Sequence, residues 1–183
     1  MSEQLIIQQC SPTLAGLKTG NLFLVEMGNR EELLMEIRKI NERLRNRGIR
    51  MVPMRFHKGK ALIYLYRISK LKEDLNNQEA RQILESIGYA CNDPEKCIVL
   101  LQKRLKDFPE FPHEIGLFLG YPPEDVKGFI ENKAENFKCV GTWKVYGNEQ
   151  QAKKKFSQFK KCTRIYFEQW LNGRSMEQLT VAM

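Results

Sequence analysis

The chain has 183 residues, 42% of them hydrophobic and 28% charged, proportions that belong to folded globular proteins. Thirty Lys and Arg against 22 Asp and Glu leave a formal charge of +8, basic but well short of a disordered polycation. Ten Phe, six Tyr and two Trp supply enough large side chains for a core, which excludes collagen-like, disordered and disulfide-knot classes.

Ser11-Pro12-Thr13 reads as a helix start, limited to about two turns by Gly20. Asn21–Met27 is rich in bulky apolar residues and ends at Gly28-Asn29, which predicts a buried strand. Leu33, Ile37, Ile40 and Leu44 recur at four-three-four spacing and predict a helix closed by Gly48. Ile49–Phe56 and Lys60–Arg67 flank His57-Lys58-Gly59 as a β-hairpin does. Pro53 cannot donate to a ladder, so the first arm is expected at an edge or with a bulge and the second arm as the better-paired strand. Beyond Arg67 the pattern turns helical, in pieces separated by Asn76-Asn77, Gly88 and Asn92-Asp93-Pro94, with Asp93 capping a helix from Pro94 to Leu105 that Pro109 and Pro112 break. Two short helices follow, Pro112–Leu119 and Pro122–Asn132, the second with Glu124 and Asp125 near its N-terminus. Cys139–Tyr146 is a short strand or ordered loop. A long helix runs from Asn148-Glu149 to about Asn172, stopped by Gly173, with a terminal turn from Ser175.

The expected fold is α+β: a small mixed sheet with an edge hairpin in the N-terminal third, covered by helices, and a mostly helical C-terminal half. One domain is expected over residues 1–183, with an α/β lobe over 1–67 and a mainly helical lobe over 68–183. No signal-peptide pattern opens the chain, and no apolar run approaches the roughly 20 residues that cross a bilayer, so a cytoplasmic protein with no membrane contact is expected. The five cysteines, Cys10, Cys91, Cys97, Cys139 and Cys162, are odd in number and form no CxxC pair, so reduced thiols are the default.

The segments CSPTLAGLKTGNLF, FPHEIGLFLGYPPEDVKGFI, FKCVGTWKVY and KKCTRIYFEQWLNGRSMEQLTVA together resemble the shared segments of a bacterial domain-of-unknown-function family, number 3793. The resemblance covers the chain from about residue 10 to its end. It implies a protein of anaerobic Gram-positive bacteria, encoded near flavodoxin and ferrous-iron transport genes and so placed in iron or redox physiology. It assigns no reaction and transfers no site.

Thiolate sulfur and imidazole nitrogen bind zinc, iron and haem iron and also form Cys–His nucleophile pairs. That makes Cys10, His113, Cys139 and Cys162, with Glu114, a candidate cofactor-binding set. Their spacing does not force them together. The opposing reading makes Cys139 and Cys162 core side chains and puts His113 and Glu114 in the first turn after Pro112. Cys10 directly precedes the expected helix start, where an exposed thiol is activated and a buried one is not.

A second candidate is the basic C-terminal helix. Between Lys144 and Arg174 eight basic residues face two acids, a local +6. At about 100° per residue, Lys153, Lys160 and Arg164 cluster with Lys154 and Lys161 beside them, while Ala152, Phe156, Phe159, Thr163, Tyr166, Phe167 and Trp170 gather opposite, with Lys155 straying toward them. Aromatics turned away from the cations argue for core rather than a single-strand stacking platform. The basic face is either a solvated surface or a contact for nucleic acid or an acidic protein such as a flavodoxin. Thr13–Asn21 only superficially suggests a phosphate loop, because its glycines are misplaced and it precedes the strand. His57 is expected to be exposed in its hairpin loop, and Gly116 and Gly120 to permit close packing or the approach of a flat ligand.

Three functions follow from these readings. The first is a cytoplasmic accessory protein of iron or redox metabolism that binds a cofactor, metal or electron-transfer partner. The alternative is a non-catalytic binding module working through its basic helix. The third is a Cys-dependent enzyme, which needs Cys10 exposed and close to His113.

Overall fold

The computed structural model describes residues 1–90, 93–107 and 111–182. The chain divides into two compact units, Met1–Lys70 with Lys161–Met183, and Leu71–Lys160. Cys91, Asn92 and Pro109 lie outside the described residues.

In the first unit, helix α1 (Glu3–Leu14) begins well before the expected Ser11, capped by Ser2, whose side chain accepts from the Leu5 amide. Ile6, Ile7, Cys10 and Leu14 recur at three- and four-residue spacing and bury one stripe, and that burial outweighs Pro12 in the last turn. The proline removes one late helical donor, and the Ser11 hydroxyl donates back to the Ile7 carbonyl.

Strand β1 (Gly20–Glu26), helix α2 (Arg30–Leu44), a 3₁₀ turn (Arg45–Arg47) and strands β2 (Ile49–His57) and β3 (Lys60–Arg67) follow. Leu33, Ile37, Ile40 and Leu44 are the buried residues of α2, as their spacing predicts, and Gly48 ends the 3₁₀ turn at φ 70°. The sheet order is β1-β3-β2 and both pairings are antiparallel, which corrects the expectation of a mixed sheet. The reason is topological: α2 returns the chain so that β2 runs alongside β1 in direction, and the tight hairpin then threads β3 between them. Lys58 and Gly59 both have positive φ, 45° and 74°, the requirement of a two-residue type I′ turn. β2 is an edge strand with a register shift between Pro53 and Arg55, so both consequences expected of the proline occur. Central β3 is buried along its length after Lys60. β1 is the other edge and is half-buried rather than buried, with Phe23 and Val25 inward and Leu24 60% exposed.

The core of this unit joins α1, α2 and one sheet face (Phe23, Val25, Ala61, Ile63, Leu65) to Met176 and Leu179 of α9 (Met176–Leu179). Tyr166, Phe167 and Trp170 of α8 (Glu149–Leu171) pack against it. The end of the long helix therefore belongs with the sheet. At the end of β3, the buried Arg67 guanidinium donates to the carbonyls of Thr13 (2.6 Å), Leu14, Arg47 (3.2 Å) and Val181 (2.8 Å).

The second unit is built on α3 (Ile68–Asn76) from Leu71 onward, α4 (Gln78–Ser86), α5 (Pro94–Asp107), α6 (Ile115–Phe118) and α7 (Pro123–Glu131). Asn77 caps α4, and Asp93 accepts from the Glu95 amide at the start of α5. α6 is a single turn, ended by Gly120 at φ 74°. The expected strand or loop at Cys139–Tyr146 is a hairpin of β4 (Cys139–Val140) and β5 (Lys144–Val145). α7 ends in a left-handed Lys133 (φ 49°) with the Ala134 amide bonded back to the Phe129 carbonyl, a Schellman closure made without glycine. Among the described residues no helix is long and apolar enough to cross a membrane.

Candidate functional site

Asp125 lies in the first turn of α7, where an acid suits the helix dipole, yet its carboxylate is buried and accepts from three donors. One oxygen accepts from Trp143 Nε1 at 2.7 Å and the other from the Tyr146 and Gly147 amides, both at 2.7 Å. Three donors on one carboxylate tie the β4–β5 hairpin to α7. Trp143 is thereby held as a fixed wall, stacked on Tyr121 at 4.9 Å and edge-on to Phe156 at 4.5 Å. Gly141 makes that packing possible, because a Cβ there would stand 2.3 Å from the Phe156 ring. Gly116 does the same for α6, where a Cβ would lie 2.8 Å from Val126 and 3.1 Å from Tyr121.

Between these walls is a cavity of about 440 Å³ whose lining is dominated by aromatic and aliphatic side chains, among them Phe111, Ile115, Tyr121, Phe129 and Trp143. At its mouth Val140 is 64% and Phe111 43% exposed. The polar groups on its walls are few. Burial pushes the Tyr121 hydroxyl up to about 12, so it remains a donor, directed to the Thr142 carbonyl at 3.2 Å. His113 is exposed and meets the Phe129 ring edge-on at 5.0 Å. Lys144, half-buried, donates to the Ala134 carbonyl at 2.7 Å and lies 4.7 Å from the Phe137 ring centre and 5.9 Å from that of Phe129.

Glu114 is buried beside this wall and accepts from Arg104 Nε at 2.6 Å and from the Tyr89 hydroxyl at 3.0 Å. Burial and the neighbouring Glu114 charge push the Tyr89 hydroxyl well above its usual range, which keeps it the donor this bond requires. A second, smaller cavity of about 230 Å³ shares Phe111, Pro112 and His113 with the first.

The five candidate cofactor residues divide between the units: Cys10 and Cys162 belong to the first, His113, Glu114 and Cys139 to the second. Cys10 is inside α1, not ahead of it, and is fully buried in the core; burial pushes its thiol far up. Lys18, also buried, is pushed down to about 8 and interacts with it electrostatically. Cys162 is buried and raised to about 11. Cys139 is half-buried on β4, packed against the Trp143 cluster. Among the described residues no three His, Cys, Asp or Glu side chains are grouped to hold a metal ion.

On α8, Lys153, Lys154, Lys155, Lys160, Lys161 and Arg164 are all exposed, and Phe156, Phe159, Tyr166, Phe167 and Trp170 are half-buried. Lys153 pairs with Glu149 at 2.6 Å, and Arg164 stands 4.0 Å from Glu168.

Asp125, Phe129, Trp143 and Lys144 escape a spacing-based reading, since the bonds of Asp125 span 18 to 22 residues. The usable signal is local: Gly141, in the bend between β4 and β5 two residues before Trp143, marks a close approach, which the Phe156 ring makes. The family model described as "Protein of unknown function (DUF3793)" matches residues 6–180. No curated protein and no solved structure matches the chain.

Proposed function

The chain belongs to the DUF3793 family, whose description assigns no reaction, and we propose from the geometry that residues 71–160 form a binding module for a small, largely apolar organic molecule of cofactor size. The observation that carries this reading is the 440 Å³ cavity with aromatic walls held in place by the three-donor Asp125 knot. Ligand pockets commonly measure about 300 to 1,000 Å³ and combine apolar walls with a few fixed polar groups. A bound organic cofactor is the form in which we propose the accessory role in iron or redox metabolism. Titrating the protein with neutral planar aromatic fragments under amide NMR tests it. Saturable shifts at Gly116, Gly141 and Thr142 are expected, and shifts confined to other residues contradict it.

A second reading rests on the exposed cationic row of α8, which suits an acidic protein surface such as that of a flavodoxin. Reversing Lys154, Lys160 and Lys161 to Glu should abolish salt-sensitive binding to such a partner. Binding that persists in the reversed variant removes this reading, and binding to single-stranded nucleic acid instead of the protein redirects it.

A further inference from the structure

Among the described residues Lys144 is the one lysine or arginine on the walls of the cavity, and no carboxylate pairs with it. Its ammonium has three hydrogens, of which one is committed to the Ala134 carbonyl. The other lining charge, Asp125, is held by Trp143 and two backbone amides and forms no ion pair with Lys144 among the described residues. Among the described residues the cavity is therefore mostly apolar with one ammonium outside any ion pair at its side, and the Phe129 and Phe137 rings beside Lys144 thin the water around it, strengthening its attraction for an anion. The backbone that supplies the Ala134 carbonyl is itself unusual: Lys133, Ala134 and Asn136 all have positive φ (49°, 65° and 57°), a conformation that non-glycine residues adopt at a cost. His113 contributes a second donor, a ring N–H, beside the cavity.

We infer that the ligand of this cavity is a planar aromatic anion, its ring system between Phe129 and Trp143 and its acid group on Lys144. This rests on the binding-module reading above and narrows it. The shared chemistry is a flat ring system carrying a carboxylate, sulfonate or phosphate.

Two probes of nearly the same shape separate charge from shape: 8-anilinonaphthalene-1-sulfonate, an anion, and N-phenyl-1-naphthylamine, its neutral counterpart. Both are titrated by fluorescence into the full chain and into Lys144→Met and Lys144→Arg, and amide NMR maps the bound site in the parent protein. Both probes should shift Gly116, Gly141 and Thr142. Lys144→Met should weaken the sulfonate about tenfold or more while the neutral probe changes less than about twofold, and Lys144→Arg should keep most of the sulfonate affinity. In the parent protein, raising the salt from 50 to 500 mM should weaken the sulfonate alone, a readout that needs no variant. If both probes bind at those amides but neither salt nor Lys144→Met separates them, the anion inference falls and the binding-module reading stands. If neither probe shifts those amides, both fall.

Discussion

Replacing Asp125 by Asn changes one atom in a carboxylate whose two oxygens both accept buried donors. The asparagine oxygen can accept from the Tyr146 and Gly147 amides, but its NH₂ then faces the Trp143 Nε1–H, donor against donor. Turned the other way, it serves Trp143 and leaves both amides unpaired. One buried donor is thus lost in the better orientation, at about 1 to 3 kcal/mol, and the remaining bonds lose their charge assistance, so a total loss of about 2 to 4 kcal/mol is expected. Urea unfolding followed by circular dichroism measures it. Trp143→Phe removes the opposing donor, so Asp125→Asn should cost about 1 to 2 kcal/mol less in that background than in the parent. Equal costs in both backgrounds would refute the three-donor knot as the element that fixes the cavity wall.

Arg67 serves carbonyls on α1, on the 3₁₀ turn and at Val181, which one lysine amine cannot span, so Arg67→Lys should cost about 3 kcal/mol in urea unfolding read by Trp170 fluorescence in a Trp143→Phe background. Lys133→Gly, relieving a left-handed residue at the end of α7, should raise stability by up to about 1 kcal/mol, measured by urea midpoint. Lys18 and Cys10 make opposing alkaline predictions. The folded Lys18 value, about 8, lies below its unfolded value, so the burial penalty holds at neutral pH and is relieved as pH rises from about 8 to 10.4. The folded Cys10 thiol stays protonated where the unfolded one ionises, so its contribution falls above about pH 8.5. Stability measured from pH 8 to 10.4 should therefore rise more steeply with pH in Cys10→Ala than in the parent and fall more steeply in Lys18→Met, and unchanged slopes in both would contradict the buried pair.

Local rules carried far in this chain. The four-three-four spacing of Leu33, Ile37, Ile40 and Leu44, the hairpin turning at Gly59 and the edge position of Pro53 each depend on neighbours within a few residues and appear as expected, with His57 pairing in β2 rather than standing in the loop. The start of α1 is ambiguous in the sequence because Ser11-Pro12 fits an N-terminus as well as Ser2-Glu3 does, and only burial of the Ile6, Ile7, Cys10 and Leu14 stripe decides between them. Burial likewise turns Cys10 from a thiol at a helix end into a core side chain. The cavity was illegible for a different reason. Its walls come from α6, α7 and the β4–β5 hairpin, and the bond that assembles them joins Asp125 to donors that no periodicity links to it. Asp125 satisfies the dipole rule at the start of α7, which hides its second task.

Soaking crystals of the full chain with a saturating planar aromatic fragment, and determining the structure, tests the binding-module reading most directly. Electron density for the ring between Phe129 and Trp143, with the Asp125 bonds unchanged, is the predicted result. A cavity that stays empty at saturation, or that the fragment reaches only by breaking the Trp143–Asp125 bond, would contradict a preformed ligand site.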